Sequence, residues 1–214
     1  QTLSSTQLQS VESTDLRALS ATQVTALSTS QLSVLTTGVQ IAALEADDFT
    51  NMTSTQVQSL TTDQVKVLTT GASGQIQALT SPVVNNLSTG QVSALTSTQA
   101  GFLSNAALAN LTTDRVAALA VAGLSTAQLS QLSSTQMGSL TTGQVQALST
   151  TQVSSLSTGQ LGGLSTTQLQ VLKTTGVNQI GALTSTQLQS LTTSALTNLL
   201  TTQTAVLDGA QVKA

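Results

Sequence analysis

Acids gather at one place in this sequence, "LEADDFTN", residues 44–51, which holds Glu45, Asp47 and Asp48. Hard cations take carboxylate oxygens, so the chemistry such a cluster could support is a calcium site. The spacing is not that of a calcium-binding loop. Acids also favour the first turn of a helix, where the backbone dipole is positive, and that is the reading adopted. Ser and Thr are plentiful, but a hydroxyl nucleophile needs a base beside it. The chain has no His, and Lys66, Lys173 and Lys213 stand far apart. "TTGASGQ", residues 69–75, carries glycines but not the Lys that a phosphate-binding loop requires. Asp114 and Arg115 are adjacent and cannot face each other on a helix, so they belong to a solvated surface. Asn51-Met-Thr, Asn86-Leu-Ser and Asn110-Leu-Thr match the N-glycan acceptor triplet, a match that a Ser/Thr-rich sequence produces by chance. No catalytic, cofactor-binding or metal-ligating residue is assigned. No cofactor and no small-molecule substrate are expected, and the chain is not expected to be an enzyme.

Composition narrows the classes further. Charged residues are only 6% of the chain and the net charge is −3. Five Lys and Arg in 214 residues cannot line a phosphate backbone, so nucleic acid is not an expected partner. The absence of Cys excludes a disulfide framework. No apolar run reaches the length of a membrane-spanning helix. No signal peptide is visible, and the start at Gln1 points to a processed product or a piece of a longer protein. Hydrophobic residues make up 39%, which sets the chain apart from disordered polymers and allows a buried core.

That core must come from a repeat. "LSTTQVSSLSTGQLGGLSTTQLQV", residues 148–171, repeats one eight-residue phrase three times, opened by Leu148, Leu156 and Leu164. The octad runs through nearly all of the sequence, so residues 1–214 read as a single octad-repeat solenoid. Its phase slips at 35–43, 68–78, 119–123 and 172–182, where the units have nine, eleven, five and eleven residues. The slips bring Gly38, Gly71, Gly74, Gly123 and Gly176, which suggests corners or changes of coil direction. Two of them, opened by Leu68 and Leu172, resemble each other and lie 172 − 68 = 104 residues apart, which suggests a longer period of about 52 residues.

Within an octad, apolar residues fall on the first and sixth positions. A half-buried strand would alternate. A continuous helix would turn the Leu stripe by about 80° per octad and never hold it on one face. A broken helix fits. Ser or Thr at the second position and Gln at the fifth form a capping box, and the apolar first and sixth residues form a hydrophobic staple across it. Leu148, Ser149, Gln152 and Val153 are one such set; Leu156, Ser157, Gln160 and Leu161 are the next. Asp63 and Asp114 fall in first turns, as the helix dipole favours. Helices of one and a half turns are unstable alone and must stack. The expected fold is therefore all-α, a solenoid or superhelix of very short capped helices, one per octad, with a β-solenoid as the alternative. Leu148, Val153, Leu156, Leu161 and Leu164 should be buried, and Gln152 and Gln160 should sit at the caps.

"LTTDQV", "LSTTQV" and "LTSTQLQSL" resemble the Leu-Thr-Thr-x-Gln-Val-x-Ala repeats of long, low-complexity bacterial proteins predicted to be secreted or on the cell surface. The resemblance covers nearly the whole chain. It implies an extracellular structural role and brings no catalytic residues. The expected function is a structural repeat protein, a segment or subunit of an extracellular fibre, sheath or adhesive stalk. The expected partner is a further copy or further repeats. A ligand- or ice-binding surface, built on ranks of Ser and Thr, is the alternative.

Overall fold

A computed structural model describes residues 3–213. Their secondary structure is helical, and no strand occurs among them, which removes the β-solenoid alternative. The chain forms two compact units, Gln1–Leu111 and Thr112–Ala214. In each, α-helices of four to six residues follow one another, one per octad.

The octad dictates both ends of each helix. At Ser149 the backbone is extended (φ −73°, ψ 163°) and its hydroxyl accepts the Gln152 N–H, while the Gln152 side chain accepts the Ser149 N–H. The helix Thr150–Ser155 then runs until Leu156, whose φ of −60° and ψ of 134° are again extended. Two successive extended residues, an opening Leu and a capping Ser, turn the chain and start the next helix, Thr158–Gly162. The break needs neither proline nor a left-handed backbone, since the described residues include no non-glycine residue with positive φ.

The apolar positions fill the interior. Leu148, Val153, Leu156, Leu161 and Leu164 are all buried, as their positions in the octad require. In each unit, a helix packs on the third element before it: Gln75–Ala78 on Ala46–Asn51 in the first unit, Thr158–Gly162 on Ser134–Gly138 in the second. The second pair approaches so closely that a Cβ at Gly163 would collide with the Ser134 backbone.

Each slip is taken up by a local change of turn or loop. At 35–43 the single extra residue widens one turn into a π-helix, Thr37–Ile41, in which the Ile41 N–H reaches back five residues to Thr36 O at 3.1 Å. At 68–78 three extra residues form a loop between cap and box, with Gly71 at φ 115°. Thr69 and Gln75 still close the box across six residues, with N–H bonds of 3.0 and 3.1 Å. At 172–182 the same loop recurs, with Gly176 at φ 66° and Lys173 N–H bonded to the Gln179 side chain at 2.9 Å. At 119–123 the octad shrinks to a 3-10 turn, Val121–Gly123, yet Val121 is buried like any sixth residue.

Candidate functional site

A four- to six-residue helix cannot satisfy its own end groups, because the last-turn carbonyls have no partner within it. In this chain the capping glutamine of another coil supplies one. Gln160 accepts the Ser157 N–H through Oε1 at 3.0 Å. Its Nε2 donates to Leu129 O at 2.7 Å and Leu132 O at 2.8 Å. Leu129 is the sixth residue of the fourth octad back, and Leu132 opens the third octad back. Each coil therefore closes between three and four octads. Gln160 is buried, so these bonds act in a low-dielectric interior where a lost partner is costly.

The same bonds recur along both units. Gln56 donates to Val24 and Leu27 carbonyls, Gln64 to Leu32 and Leu35, and Gln91 to Val57 and Leu60. In the second unit Gln152, Gln168, Gln179, Gln187 and Gln203 repeat them. The slips alter only the sequence distance. A regular coil separates Gln160 from its acceptors by 31 and 28 residues. The π-turn raises this to 32 and 29 for Gln64, and the three-residue loop raises it to 34 and 31 for Gln91. The short unit lowers it to 28 and 25 for Gln144. The units with insertions thus keep their rungs, and the five-residue unit, which has no glutamine of its own, leaves the rung across it at Gln144 in place. The structural period is this coil, not the 52 residues that the spacing of the two similar slips suggests.

The acid cluster is a variant rung. Asp48 occupies the box position and its carboxylate accepts the Glu45 N–H at 2.8 Å. It is buried, and burial pushes its carboxyl above the ordinary aspartate range; the Glu45 N–H bond opposes this, and the Glu45 and Asp47 charges reinforce it. Glu45 and Asp47 are exposed. Among the described residues, these carboxylates and the other acids form no group of three that could hold a metal ion. Glu45 and Asp47 line a polar cleft of about 470 Å³ with Arg17, Thr69, Ser73 and Gln75.

The candidate acceptor asparagines are also engaged: Asn51 Nδ2 donates to Asp47 O, Asn86 Nδ2 to Ser54 Oγ and Asn110 Nδ2 to Ala106 O. Lys66 pairs with Asp63 at 3.1 Å on the surface. Arg115 donates to Thr112 Oγ1 at 2.8 Å.

Sequence reasoning placed the glutamines at the caps but missed the far end of the amide. A signal was present. A capping box accepts Glu as readily as Gln, yet neither Glu in this chain, Glu12 nor Glu45, stands at a box position. A carboxylate could close the box but could not donate to a second helix.

The repeat that combines cap and bridge is a known one. The ALTTAQ repeat model matches residues 8–38, 41–81, 121–150 and 142–174, more than half of the chain. The chain belongs to the ALTTAQ repeat family. No curated protein matches it. In these ALTTAQ repeats the letters from Leu to Gln run from the staple residue through the cap to the bridging amide, as in Leu148 to Gln152. Among the described residues no helix is long and apolar enough to cross a membrane.

Proposed function

We propose that this ALTTAQ-repeat chain is a non-enzymatic structural protein, a segment or subunit of an extracellular fibre, sheath or adhesive stalk, that associates with further copies of itself. The observation that carries the reading is the use of the glutamine amide. The buried polar side chain that recurs most often joins coil to coil instead of facing a cleft. Selection on such a rung acts on stacking, which suits a protein whose work is to persist as an extended array. The same caps engage the second-position hydroxyls, as Ser149 and Ser157 do, so those groups are not presented as a hydroxylated binding face. Low charge adds to the case, because a surface with few charges does little to repel its copies.

Immunogold labelling of intact, unpermeabilised cells with antibodies to the chain tests the location and form together. Label along surface fibres or a sheath is the expected result. Label that appears only after lysis would overturn the extracellular part, and diffuse single particles would overturn the structural part.

A further inference from the structure

Departures from the octad gather at one place in the first unit, the polar cleft beside the acid cluster. The cleft spans three successive coils. Gln40 donates to the Leu8 and Val11 carbonyls of the coil before its own, and Gln75, of the coil after, donates to the Ile41 and Leu44 carbonyls. Arg17 lines the cleft from the first of these coils, Glu45 and Asp47 from the second, and Thr69 and Ser73 from the third, where the three-residue insertion lies. Charged residues are 6% of the chain but three of the ten that line this cleft. The fold does not require them. Glu45 holds a cap position that Thr53 and Ser157 fill in other octads, and glutamate is not among the preferred caps. Asp48 forgoes the rung, and among the described residues no side-chain amide donates to the Leu16 or Leu19 carbonyl. The similar insertion in the second unit manages without acids. Gln179 there bonds to the Val145 and Leu148 carbonyls as Gln75 bonds to Ile41 and Leu44, and Ser149 and Thr151 stand where the first unit has Glu45 and Asp47. Residues that break a local rule with no structural return mark a functional place. Arg17 is the seventh residue of its octad, and the seventh residues of interior coils, Gln58 and Gln146, are exposed as it is, so its exposure belongs to the position.

Among the described residues, Arg17 forms no ion pair with Glu45 or Asp47. One cation and two anions therefore line the same cleft without neutralising each other. We propose that this cleft binds a basic amino acid, free or at the C-terminus of a peptide, with its carboxylate on Arg17 and its cationic groups on Glu45 and Asp47. A guanidinium takes a carboxylate as a bidentate pair, and ionised carboxylates accept the N–H donors of an ammonium group. Free lysine carries two positive charges and one negative, which matches the cleft in number and opposes it in sign. A simple diamine leaves Arg17 unmatched, and a neutral-tailed amino acid leaves one acid unmatched. A cleft of about 470 Å³ lies in the range that holds small molecules. The Ser73 hydroxyl, on the inserted loop, adds a donor and acceptor at the rim. Binding here is separate from the structural role proposed above, and either reading stands if the other fails.

Amide chemical shifts of the isotope-labelled full chain, followed while lysine, cadaverine or norleucine is added, test the proposal. Lysine should shift the Arg17, Asp47 and Ser73 amides saturably and bind at least several-fold more tightly than cadaverine, which lacks the carboxylate, or norleucine, which lacks the side-chain ammonium. No saturable shift at these amides, or lysine no better than cadaverine, would overturn it. Arg17→Gln should bring lysine down to the cadaverine level and leave cadaverine unchanged. Asp47→Asn should weaken both, whereas Asp114→Asn, which removes a charge elsewhere, should weaken neither. Equal losses in Asp47→Asn and Asp114→Asn would mean a general attraction of cations to an acidic chain and would also overturn the proposal. The same spectra report whether each variant folds; if Asp47→Asn does not, the lysine-to-cadaverine ratio in Arg17→Gln decides alone, and an unchanged ratio would overturn the site. Nα-acetyl-lysine separates the two sources of the ligand: affinity equal to that of lysine assigns a peptide C-terminus, and weaker affinity assigns the free amino acid.

Discussion

The octad of Gln160 and the octad of Asp48 share one backbone plan and differ in what they can give away. Both place an apolar side chain, Leu161 or Phe49, fully in the interior at the sixth position. Both bury the box side chain and use it to accept the capping N–H. Gln160 then donates to two carbonyls of an earlier coil. Asp48 is one methylene shorter and, when ionised, has nothing to donate. Capping and bridging are thus separable properties of one side chain. The octad needs the first to start a helix; the coil needs the second to hold its neighbour.

What the two octads share should be the costliest to remove. Phe49→Ala should destabilise by roughly 3–5 kcal/mol and Leu161→Ala by roughly 2–5 kcal/mol, because both leave cavities that short, mutually braced helices cannot close. Hydrogen exchange followed octad by octad should show the loss of protection concentrated in the substituted octad and the coils it touches. Uniform loss along the chain would contradict quasi-independent coils.

The difference between them comes next in size. Gln160→Leu leaves the Ser157 N–H and the Leu129 and Leu132 carbonyls short of a buried partner, and should cost roughly 1–3 kcal/mol in urea denaturation. Gln160→Glu keeps the cap acceptor and loses the donor, so it should be nearly as harmful at neutral pH. If Gln160→Glu matched wild type, bridging would carry no stability. The converse change, Asp48→Gln, should add about 1 kcal/mol by restoring a rung, since the equivalent acceptors 32 and 29 residues back are the Leu16 and Leu19 carbonyls.

The smallest effect concerns pH. Burial raises the folded-state Asp48 carboxyl above its unfolded value. The folded state therefore binds this proton more tightly, so the stability from this group is complete at pH below the unfolded value of about 3.8 and is lost as pH rises through the raised folded value. Asp48→Asn should flatten that part of the profile. Equal slopes for wild type and Asp48→Asn in urea titrations across mildly acidic pH would show that Asp48 titrates as it does in the unfolded chain.

Nearly everything inside one octad was legible in the sequence, because its causes lie within eight residues. Ser149, Gln152 and the Leu148–Val153 staple specify a helix start wherever they occur together, and the next cap specifies its stop. The buried set from Leu148 to Leu164 follows from the same spacing. Helix class and core therefore needed no knowledge of the partner coil. Coil closure lay beyond the sequence for a physical reason. A chain of near-identical octads offers many registers in which one Leu can replace another, and local pattern cannot rank them. Packing ranks them, by bringing Gln160 over Leu129 and Leu132 and not over the same groups one octad away. The slips show the same division. In the sequence the eleven-residue units at 68–78 and 172–182 look like breaks in the repeat. In the structure the three extra residues loop out between cap and box, and Gln75 and Gln179 hold their carbonyls at 2.6–2.9 Å, as the uninterrupted octads do. Sequence alone determined the capped helix and its buried residues, since these are local. Which coil each helix rests on, and that the repeat keeps its rungs across insertions, was decided only by tertiary packing, where the donor end of each glutamine meets a carbonyl some thirty residues away.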